Sequence, residues 1–482
     1  MKNNYREKKN CRAYLTVYLA LILSVLLSLA LTLIEGARSG GIRLETECVT
    51  DIGLNSIFAE YHRELFRQYD LFAIDCSYGS DYAGKGNVTQ HLREYLERNL
   101  SIEDVFLSGW IYRDFLGMSV KDVELTKVSI MTDDGGAVFR RQAVEAIKDD
   151  VGLTLMEELL QWIQVVDANE LDTRDVSAEK QELEGEVQQM LEHAETESAL
   201  ENPTDCLEEV RREGILSWVV KDSHTLSHRT LDLEPLIESR MKQGTVNRGN
   251  FSLEDASGPE LLLERFFFQE YLLKYMGHYG QEDEENALLY QVEYLIAGRD
   301  SDVENLRIVA NRLCLLRQVA NTVYLFSDGE KCMEAEVLAD ALAAAVMLPE
   351  IAPLIKLIIL LGWAYAESLY DVEALLAGGR IPLIKDAGTW HYSMFAAFQL
   401  GDHGGVQESQ GLSYEDYLRI FMMLTSQDTL TARAMNMVEA DIRQTPGNAN
   451  FRLDGCYAQV EADIRIDSVY GYNYQITRQR RY

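Results

Sequence analysis

The sequence predicts a helix-dominant α+β fold, in which a single N-terminal transmembrane helix continues toward an extracytoplasmic domain that ends in antiparallel strands. The first observation is a charge-free apolar run at residues 13–34. The second is the recurrence of apolar residues at steps of three and four, which is typical of amphipathic helices. The third is a change to a period of two at residues 460–476. Seven prolines among 482 residues also favour long helices over a loop-rich β-sandwich.

The run "AYLTVYLALILSVLLSLALTLI", from Ala13 through Leu23 to Ile34, is long enough to be a membrane anchor. It has 22 uncharged residues, whereas a spanning helix needs about 20 and the apolar region of a cleaved signal peptide has about 7–15. The small residues Ala37 and Ser39 leave cleavage open as an alternative. The basic residues before the run are Lys2, Arg6, Lys8, Lys9 and Arg12. Because cytoplasmic flanks collect Lys and Arg, we expect a single-pass cell-membrane protein with its N-terminus in the cytoplasm and its C-terminal domain outside.

The charge distribution limits the classes of partner that the protein can bind. The formal net charge is −33, yet residues 1–38 carry six Lys or Arg and two Glu, so 39 basic and 76 acidic residues remain beyond them. Such an acidic surface repels phosphate backbones, which excludes nucleic acid as a partner. The lipid bilayer is the partner that the apolar run predicts.

The pattern divides the chain into segments and predicts where the anchor leads. Apolar residues at helical spacing indicate that the membrane helix continues, with a break near Gly40–Gly41, into an amphipathic helix. The residues of that face are Leu54, Phe58, Tyr61, Leu65 and Tyr69. The segments are a cytoplasmic basic segment (1–12), the transmembrane helix (13–34), an amphipathic helix plus α/β segment (35–135), a charged helical insertion or linker (136–255), and a helical body with C-terminal strands (256–482).

Several local signals define further elements. The stretches "LFAID" (71–75) and "VKDVELTKVSI" (120–130) read as strands, the second with a bulge near Lys127. The stretch "SAEKQELEGEVQQMLEHAETES" (177–198) has too few apolar positions for a core helix, so it predicts a solvated helix, a projecting hairpin or a linker. The stretch "SYED", beginning at Ser413, is a capping box that starts a helix.

A second apolar region extends from Leu338 to Tyr370. Charged residues and prolines break it into pieces of about ten residues, too short to cross a bilayer. We expect two buried helices joined at Pro349–Pro353, with a re-entrant or membrane-resting element as the alternative.

The C-terminal alternation predicts either one long bent strand or two strands around "VYGYN". From Val460 to Ile476 the even-numbered positions are mostly apolar or aromatic and the residues between them are mostly polar, and Tyr470, Tyr472 and Tyr474 are among the even-numbered positions. These tyrosines are our candidate interaction residues, because they would form a partner surface if the strand lies at an exposed sheet edge.

The residue patterns predict no catalytic residue, no cofactor and no metal ligand. His224 and His228 are four residues apart, but "TLS" between them lacks the glutamate of a metalloprotease helix. The loop "GDHGG" places Asp402 and His403 near His391, but no third, orienting group can be named. An enzyme is therefore not expected. The alternative, an anchored extracellular enzyme or solute-binding protein of unknown substrate, would need a pocket that gathers these residues with carboxylates.

The cysteines do not define a framework. Six lie beyond the anchor at wide, irregular spacings without CxxC, which disfavours a zinc ribbon and leaves 15 possible pairings. They are Cys48, Cys76, Cys206, Cys314, Cys332 and Cys456.

Five stretches together resemble a known family. They are "YLTVYLALILSVLLSLALTLIEGARSG", "CVTDIGLNSIFAEYHRELFRQYDLFAID", "GWAYAESLYDVEALLAGGRIPLIKDAGTW", "GLSYEDYLRIFMMLT" and "TPGNANFRLDGC". The family is an uncharacterised domain of unknown function in Gram-positive bacterial membrane proteins, associated with tight-adherence (Tad) pilus loci and pseudopilin-like in plan. The resemblance implies a non-enzymatic accessory or structural component of a Tad-like, type IV-related pilus or secretion apparatus, with other membrane proteins of that apparatus as partners.

Two features differ from a true prepilin. No glycine cleavage site precedes the apolar run, and Glu35 lies at its exit, whereas prepilins hold a glutamate near its start. The resemblance therefore implies an anchored accessory role rather than polymerisation into a filament.

Overall fold

The computed structural model describes residues 7–80, 83–100, 116–148, 153–169, 176–193, 214–221, 223–251, 259–397 and 411–482. The expected helix-dominant α+β class, with antiparallel strands at the C-terminus, is confirmed. The strands are β1 Ile74–Asp75, β2 Met118–Ile130, β3 Cys456–Ser468 and β4 Asn473–Arg481. The helices are α1 Glu7–Phe58, α2 Arg63–Tyr69, α3 Lys85–Leu100, α4 Asp133–Ile147, α5 Leu153–Ala168, α6 Val176–His193, α7 Leu216–Val219, α8 Ile237–Gln243, α9 Pro259–Tyr275, α10 Gln291–Ala297, α11 Asp302–Ser327, α12 Gly329–Ala345, α13 Ala352–Leu376, α14 Met394–Ala397, α15 Tyr414–Leu424 and α16 Gln427–Gln444.

Helix α1 has 52 residues and two different halves. All side chains from Tyr14 to Ile34 are exposed, so nothing in the described structure covers this apolar half, which is long enough to span a membrane. Its 22 uncharged residues rise about 33 Å, close to the ~30 Å of a hydrocarbon core. In the second half one face of the helix is buried, beginning at Ile42 and including Thr46 and Val49.

The break expected near Gly40–Gly41 is wrong, because α1 runs through both glycines. An interior glycine costs a helix about 1 kcal/mol relative to alanine. Tertiary packing of the second half offsets that cost, since Ile42 and Ile57 are fully buried. The prediction from local helix propensity therefore overestimated how strongly the two glycines disrupt the helix.

The sheet has β3 at its centre, with β2 antiparallel on one side and β4 antiparallel on the other. The short β1 pairs with the start of β3, in line with β4. The register of β2 against β3 shifts between Leu125 and Lys127, where the sequence predicted a bulge. The C-terminal alternation forms two strands, β3 and β4, joined by a turn at residues 469–472.

Helices α1 and α3 cover one face of this sheet. The even-numbered residues of β3 point into that layer, and Val460, Ala462, Ile464 and Ile466 are fully buried there. Helix α3 approaches α1 closely at Gly53, where an added Cβ would lie 2.9 Å from Leu96 Cδ2. A hydrophobic core of its own therefore holds the sheet to the second half of α1.

Helices α4 to α16 form a body that the chain inserts between β2 and β3, and α2 packs against α16 of this body. Its long core helix is α13, in which Trp363 is almost completely buried. A 3₁₀ turn at Pro349–Ile351 joins α12 to α13. The predicted junction of two helices at Pro349–Pro353 is confirmed, but only α13 is a buried helix, and it is apolar because the body surrounds it. Helix α12 buries one narrow face of alanines and leaves Met333 and Val337 exposed, so the prediction that both helices are buried is wrong for α12.

Helix α6 corrects another expectation. The sequence indicated a solvated helix, hairpin or linker at 177–198, yet α6 packs against α11 and α13. Val187 and Leu191 are buried, and the stem of Lys180 is buried while its ammonium pairs with Glu184 at 2.6 Å. A long lysine stem supplies apolar contact area that a count of apolar residues overlooks.

Candidate functional site

The three candidate tyrosines lie together, where β4 begins beside the exit of the apolar half of α1. Tyr472 and Tyr474 pack into the layer that α1 and α3 form against the sheet, and Tyr470, in the turn, meets α1 through Arg38. We name this group the tyrosine–helix contact; it comprises Glu35, Arg38, Ser39, Tyr470, Tyr472 and Tyr474.

Each tyrosine makes a different contact with α1. The Tyr472 hydroxyl donates a hydrogen bond to the Glu35 carboxylate. The Tyr474 hydroxyl lies 3.1 Å from Ser39 Oγ and donates to the Ser39 carbonyl at 3.3 Å. The Tyr470 ring lies under a guanidinium group of α1, 3.9 Å from its Cζ. The interaction role predicted for these tyrosines stays a prediction, and the structure uses two of the hydroxyls within the chain.

Charges within the contact are matched. Arg38 pairs with Glu35 at 3.0 Å and stacks on Tyr470, so one guanidinium joins the helix to the hairpin. The hydrogen bond to Glu35 raises the pKa of Tyr472, which therefore keeps its proton and remains a donor. The contact is a neutral, hydrogen-bonded junction rather than an unsatisfied charged patch.

Strand β4 continues along α1 beyond this contact. Arg478 lies 3.8 Å from Asp51, and the Tyr482 hydroxyl donates to the Phe58 carbonyl at 2.6 Å. From Glu35 to Phe58 the helix rises about 35 Å, and from Tyr472 to Tyr482 a strand rises about 33 Å. The strand and the helix therefore run side by side and away from the apolar half.

The turn before β4 carries the most exposed apolar side chains of the sheet. Val469 is 79% exposed and Tyr470 is 43% exposed. The turn is anchored to the start of β2, because the Val469 amide donates to the Gly117 carbonyl at 2.9 Å. Gly117 has φ +55°, and an added Cβ would lie 2.3 Å from Val469 Cγ2, so a side chain at that position would displace the turn.

Strand β4 is an edge strand, since it pairs with β3 alone among the described strands. Arg478, Arg480 and Arg481 lie on it, which makes this edge basic in an otherwise acidic protein. Charged residues on an edge discourage uncontrolled strand pairing. From the sequence, the three tyrosines were expected to form a partner surface only if their strand lies at an exposed sheet edge. Strand β4 meets this condition.

Of the histidines considered as possible catalytic residues, His391 lies beside a carboxylate. His391 Nδ1 lies 3.4 Å from Glu367 Oε1, and the side chain is 21% exposed. Glu367 also accepts hydrogen bonds from the backbone amides of His391 and Tyr392 at 3.0 and 2.9 Å, so it fixes the position of that loop. Asp402 and His403 lie outside the described residues.

Sequence reasoning missed the buried charge network behind His391. Arg317 lies 2.9 Å and Lys385 lies 2.6 Å from Asp371, and Lys385 also contacts Glu367. Burial opposes charge on Asp371, but the two cations outweigh it and lower its pKa. Fully buried ions that pair this way order a core without implying chemistry. The available signal was the pair Glu367 and Asp371, which are four residues apart and therefore share a face of the largely apolar helix α13.

Among the described residues, the other candidate catalytic and metal-binding side chains are not gathered in one site. A cleft of about 600 Å³ lies between the sheet and α4, with Arg141, Glu145 and Tyr482 in its wall and none of the histidines. Within the described residues, no three His, Cys, Asp or Glu side chains are placed to hold a metal ion. Five of the described cysteines are thiols outside any disulfide: Cys48, Cys76, Cys314, Cys332 and Cys456.

The fold defines the structural class of this protein. This is an α+β protein whose sheet is assembled along one half of a long N-terminal helix, while the other half is apolar and uncovered. The chain belongs to the family of unknown function DUF5702, which matches residues 193–468. That match runs from the end of α6 through the rest of the body to the last residue of β3. No curated protein and no solved structure shows a significant match.

Proposed function

We propose that this chain is a membrane-anchored, non-enzymatic structural or accessory component of a Tad-like, type IV-related pilus or secretion apparatus on a Gram-positive cell surface. The observation that carries the proposal is α1, which is both the apolar anchor and the support along which the sheet is fastened. A continuous helix fixes the height and orientation of the domain relative to the membrane. This is the property that a scaffold component needs.

The apolar half of α1 also has a face suited to packing against other membrane helices. Small residues occur at every fourth position: Thr16, Ala20, Ser24, Ser28, Thr32, Gly36 and Gly40. Each step of four residues turns only about 40° around the helix axis, so neighbouring members such as Ser24 and Ser28 share a face and let a neighbouring backbone approach closely there. The hydroxyls of Ser24 and Thr32 bond to their own helix at 2.8 Å, so they add no unsatisfied polar group in lipid.

The partners that fit this proposal are the lipid bilayer and the membrane proteins of the same apparatus. The positive flank before the anchor orients the N-terminus toward the cytoplasm, which places the acidic body outside. Its acidity disfavours nucleic acid and leaves protein surfaces as partners. The resemblance of five stretches, spread over most of the chain, to a family associated with Tad loci supports the choice of apparatus.

The test is crosslinking in intact cells, followed by detergent extraction, pull-down of this chain and mass spectrometry. Pilins, a platform protein or the secretion ATPase should be enriched above a mock pull-down. The double substitution Ser24→Leu and Ser28→Leu should lose partners held through the small-residue face while keeping the anchor apolar. The matched control is Ala30→Leu, which enlarges a small residue on the other side of the helix. Recovery of the wild-type chain alone would contradict the proposal.

A further inference from the structure

The hairpin turn between β3 and β4 lies level with the end of the apolar half of α1. We propose that this turn, Val469–Tyr470–Gly471, inserts into the headgroup layer of the bilayer and forms a second membrane contact beside the helix. The inference rests on the anchoring role of α1 proposed above. The turn is proposed to contact the lipid interface, rather than a protein partner.

The height of the turn follows from helix geometry. The uncharged run ends at Ile34, and Arg38, whose guanidinium lies 3.9 Å from the centre of the Tyr470 ring, is four residues farther on. Four residues rise about 6 Å. The polar layer on each side of a bilayer is about 5–8 Å thick, the difference between its total thickness and its hydrocarbon core. With Ile34 at the core boundary, the turn therefore lies within the headgroup layer.

The composition of the turn matches that layer. Residues 468–476, "SVYGYNYQI", contain no charged residue, in a chain of which 26% is charged. The turn exposes the apolar side chain of Val469, which is an unfavourable choice for a hairpin tip facing water. Tyrosine has an apolar ring and a polar end, and it is enriched at membrane interfaces for that reason.

The turn is held rigidly at this height. The Ser468 hydroxyl donates to the Leu116 carbonyl at 2.6 Å, and the Val469 amide donates to the Gly117 carbonyl. On the other side, Tyr470 stacks on Arg38. Two fixed contacts with one interface restrict both the tilt and the rotation of α1, which a single helix alone leaves free.

The experiment measures tryptophan quenching by lipids that carry a spin label. The full-length protein is reconstituted into phosphatidylcholine vesicles, with the label either at the headgroup or in the middle of the acyl chain. One variant is Val469→Trp; a second, Tyr470→Trp, retains a ring for the guanidinium. Leu23→Trp reports the centre of the span. Gln479→Trp is the matched control, because it is exposed on β4 about 20 Å beyond Asn473. The native tryptophan signal is subtracted with the wild-type protein.

Val469→Trp and Tyr470→Trp should lose fluorescence to the headgroup label more than to the mid-chain label. Leu23→Trp should show the reverse order, and Gln479→Trp should be quenched by neither. If both turn variants match Gln479→Trp while Leu23→Trp is quenched, the turn does not reach the bilayer and the anchor stands. If Leu23→Trp is also unquenched, the anchor itself fails, and the proposed function fails with it.

Discussion

Asp441 is a buried carboxylate that makes the stability of the body depend on pH. It lies on α16 and accepts hydrogen bonds from the Tyr69 hydroxyl, from Gln291 Nε2 at 2.6 Å and from the Ala287 amide at 2.6 Å. Burial raises its pKa to about 6, although these donors favour the charged form. The folded chain therefore holds this proton more tightly than the unfolded chain, in which the pKa of an aspartate is about 3.9.

The sign of the effect follows from proton linkage. Between pH 4 and 6 the folded state binds more protons at Asp441 than the unfolded state, so the free energy of unfolding falls as pH rises. Two pKa units correspond to about 3 kcal/mol. Asp441→Asn should remove this part of the pH dependence, as measured by urea unfolding of the full chain in detergent across this range.

The comparison uses slopes rather than absolute stabilities. In Asp441→Asn the new amide nitrogen would face hydrogen-bond donors, so the variant is expected to be less stable at low pH. Other buried carboxyls, such as Glu293 and Asp133, also have raised pKa values because of burial, and they remain in both proteins. An unchanged slope in the variant would contradict the assignment.

At the scale of elements, the fastening of β4 to α1 depends on tyrosine hydroxyls. Tyr474 is half-buried and reaches both the hydroxyl and the carbonyl of Ser39. Tyr474→Phe should cost about 1 kcal/mol, which corresponds to about fivefold faster local opening. Hydrogen exchange of the β4 amides measures that opening directly.

Tyr470→Phe is the matched control for this prediction. It keeps the aromatic ring under Arg38 and removes only a hydroxyl of the same strand region. Exchange in β4 should stay at the wild-type rate in this variant. Equal acceleration in both variants, or none in Tyr474→Phe, would mean that the hydroxyl contacts do not hold the strand.

Local signals predicted individual elements well where the deciding interactions are local. The capping box at Ser413 is formed with Asp416, which accepts from the Ser413 amide at 2.9 Å. The bulge near Lys127 appears as a register shift. Predictions failed where tertiary packing decides: α1 continues through Gly40–Gly41, and one face of α6 packs against α11 and α13 although most of its other side chains are exposed. In both cases burial outweighs the local preference that the sequence displays.

At the scale of the whole molecule, the main unpredicted feature is the pairing of β2 with β3 across residues 131–455. Periodicity identifies each strand but does not encode a partner so distant in sequence. The same limit applies to the candidate site. The tyrosine pattern indicated a functional face, but its contact with Glu35 and Ser39 depends on a pairing more than four hundred residues apart. The site is formed by contacts between segments that are distant in sequence, and composition does not reveal such contacts.

The placement of the entire domain relative to the membrane leads to a prediction about Cys48. This thiol is exposed on α1, beyond the apolar half. Burial raises the pKa of Cys76 to about 11, and it also raises the pKa of Cys456. Since the thiolate is the reactive form, Cys48 should react with a maleimide long before these two buried thiols do.

A membrane-impermeant maleimide added to intact cells should therefore modify Cys48 if the positive flank holds the N-terminus inside. Mass spectrometry of peptides separates this thiol from the others. Cys76 and Cys456 serve as internal controls, because they should become modified only after denaturation. Labelling of Cys48 only after the cells are lysed would place the domain in the cytoplasm. That result would reverse the orientation from which the surface role is argued, while leaving the fold and the tyrosine–helix contact unchanged.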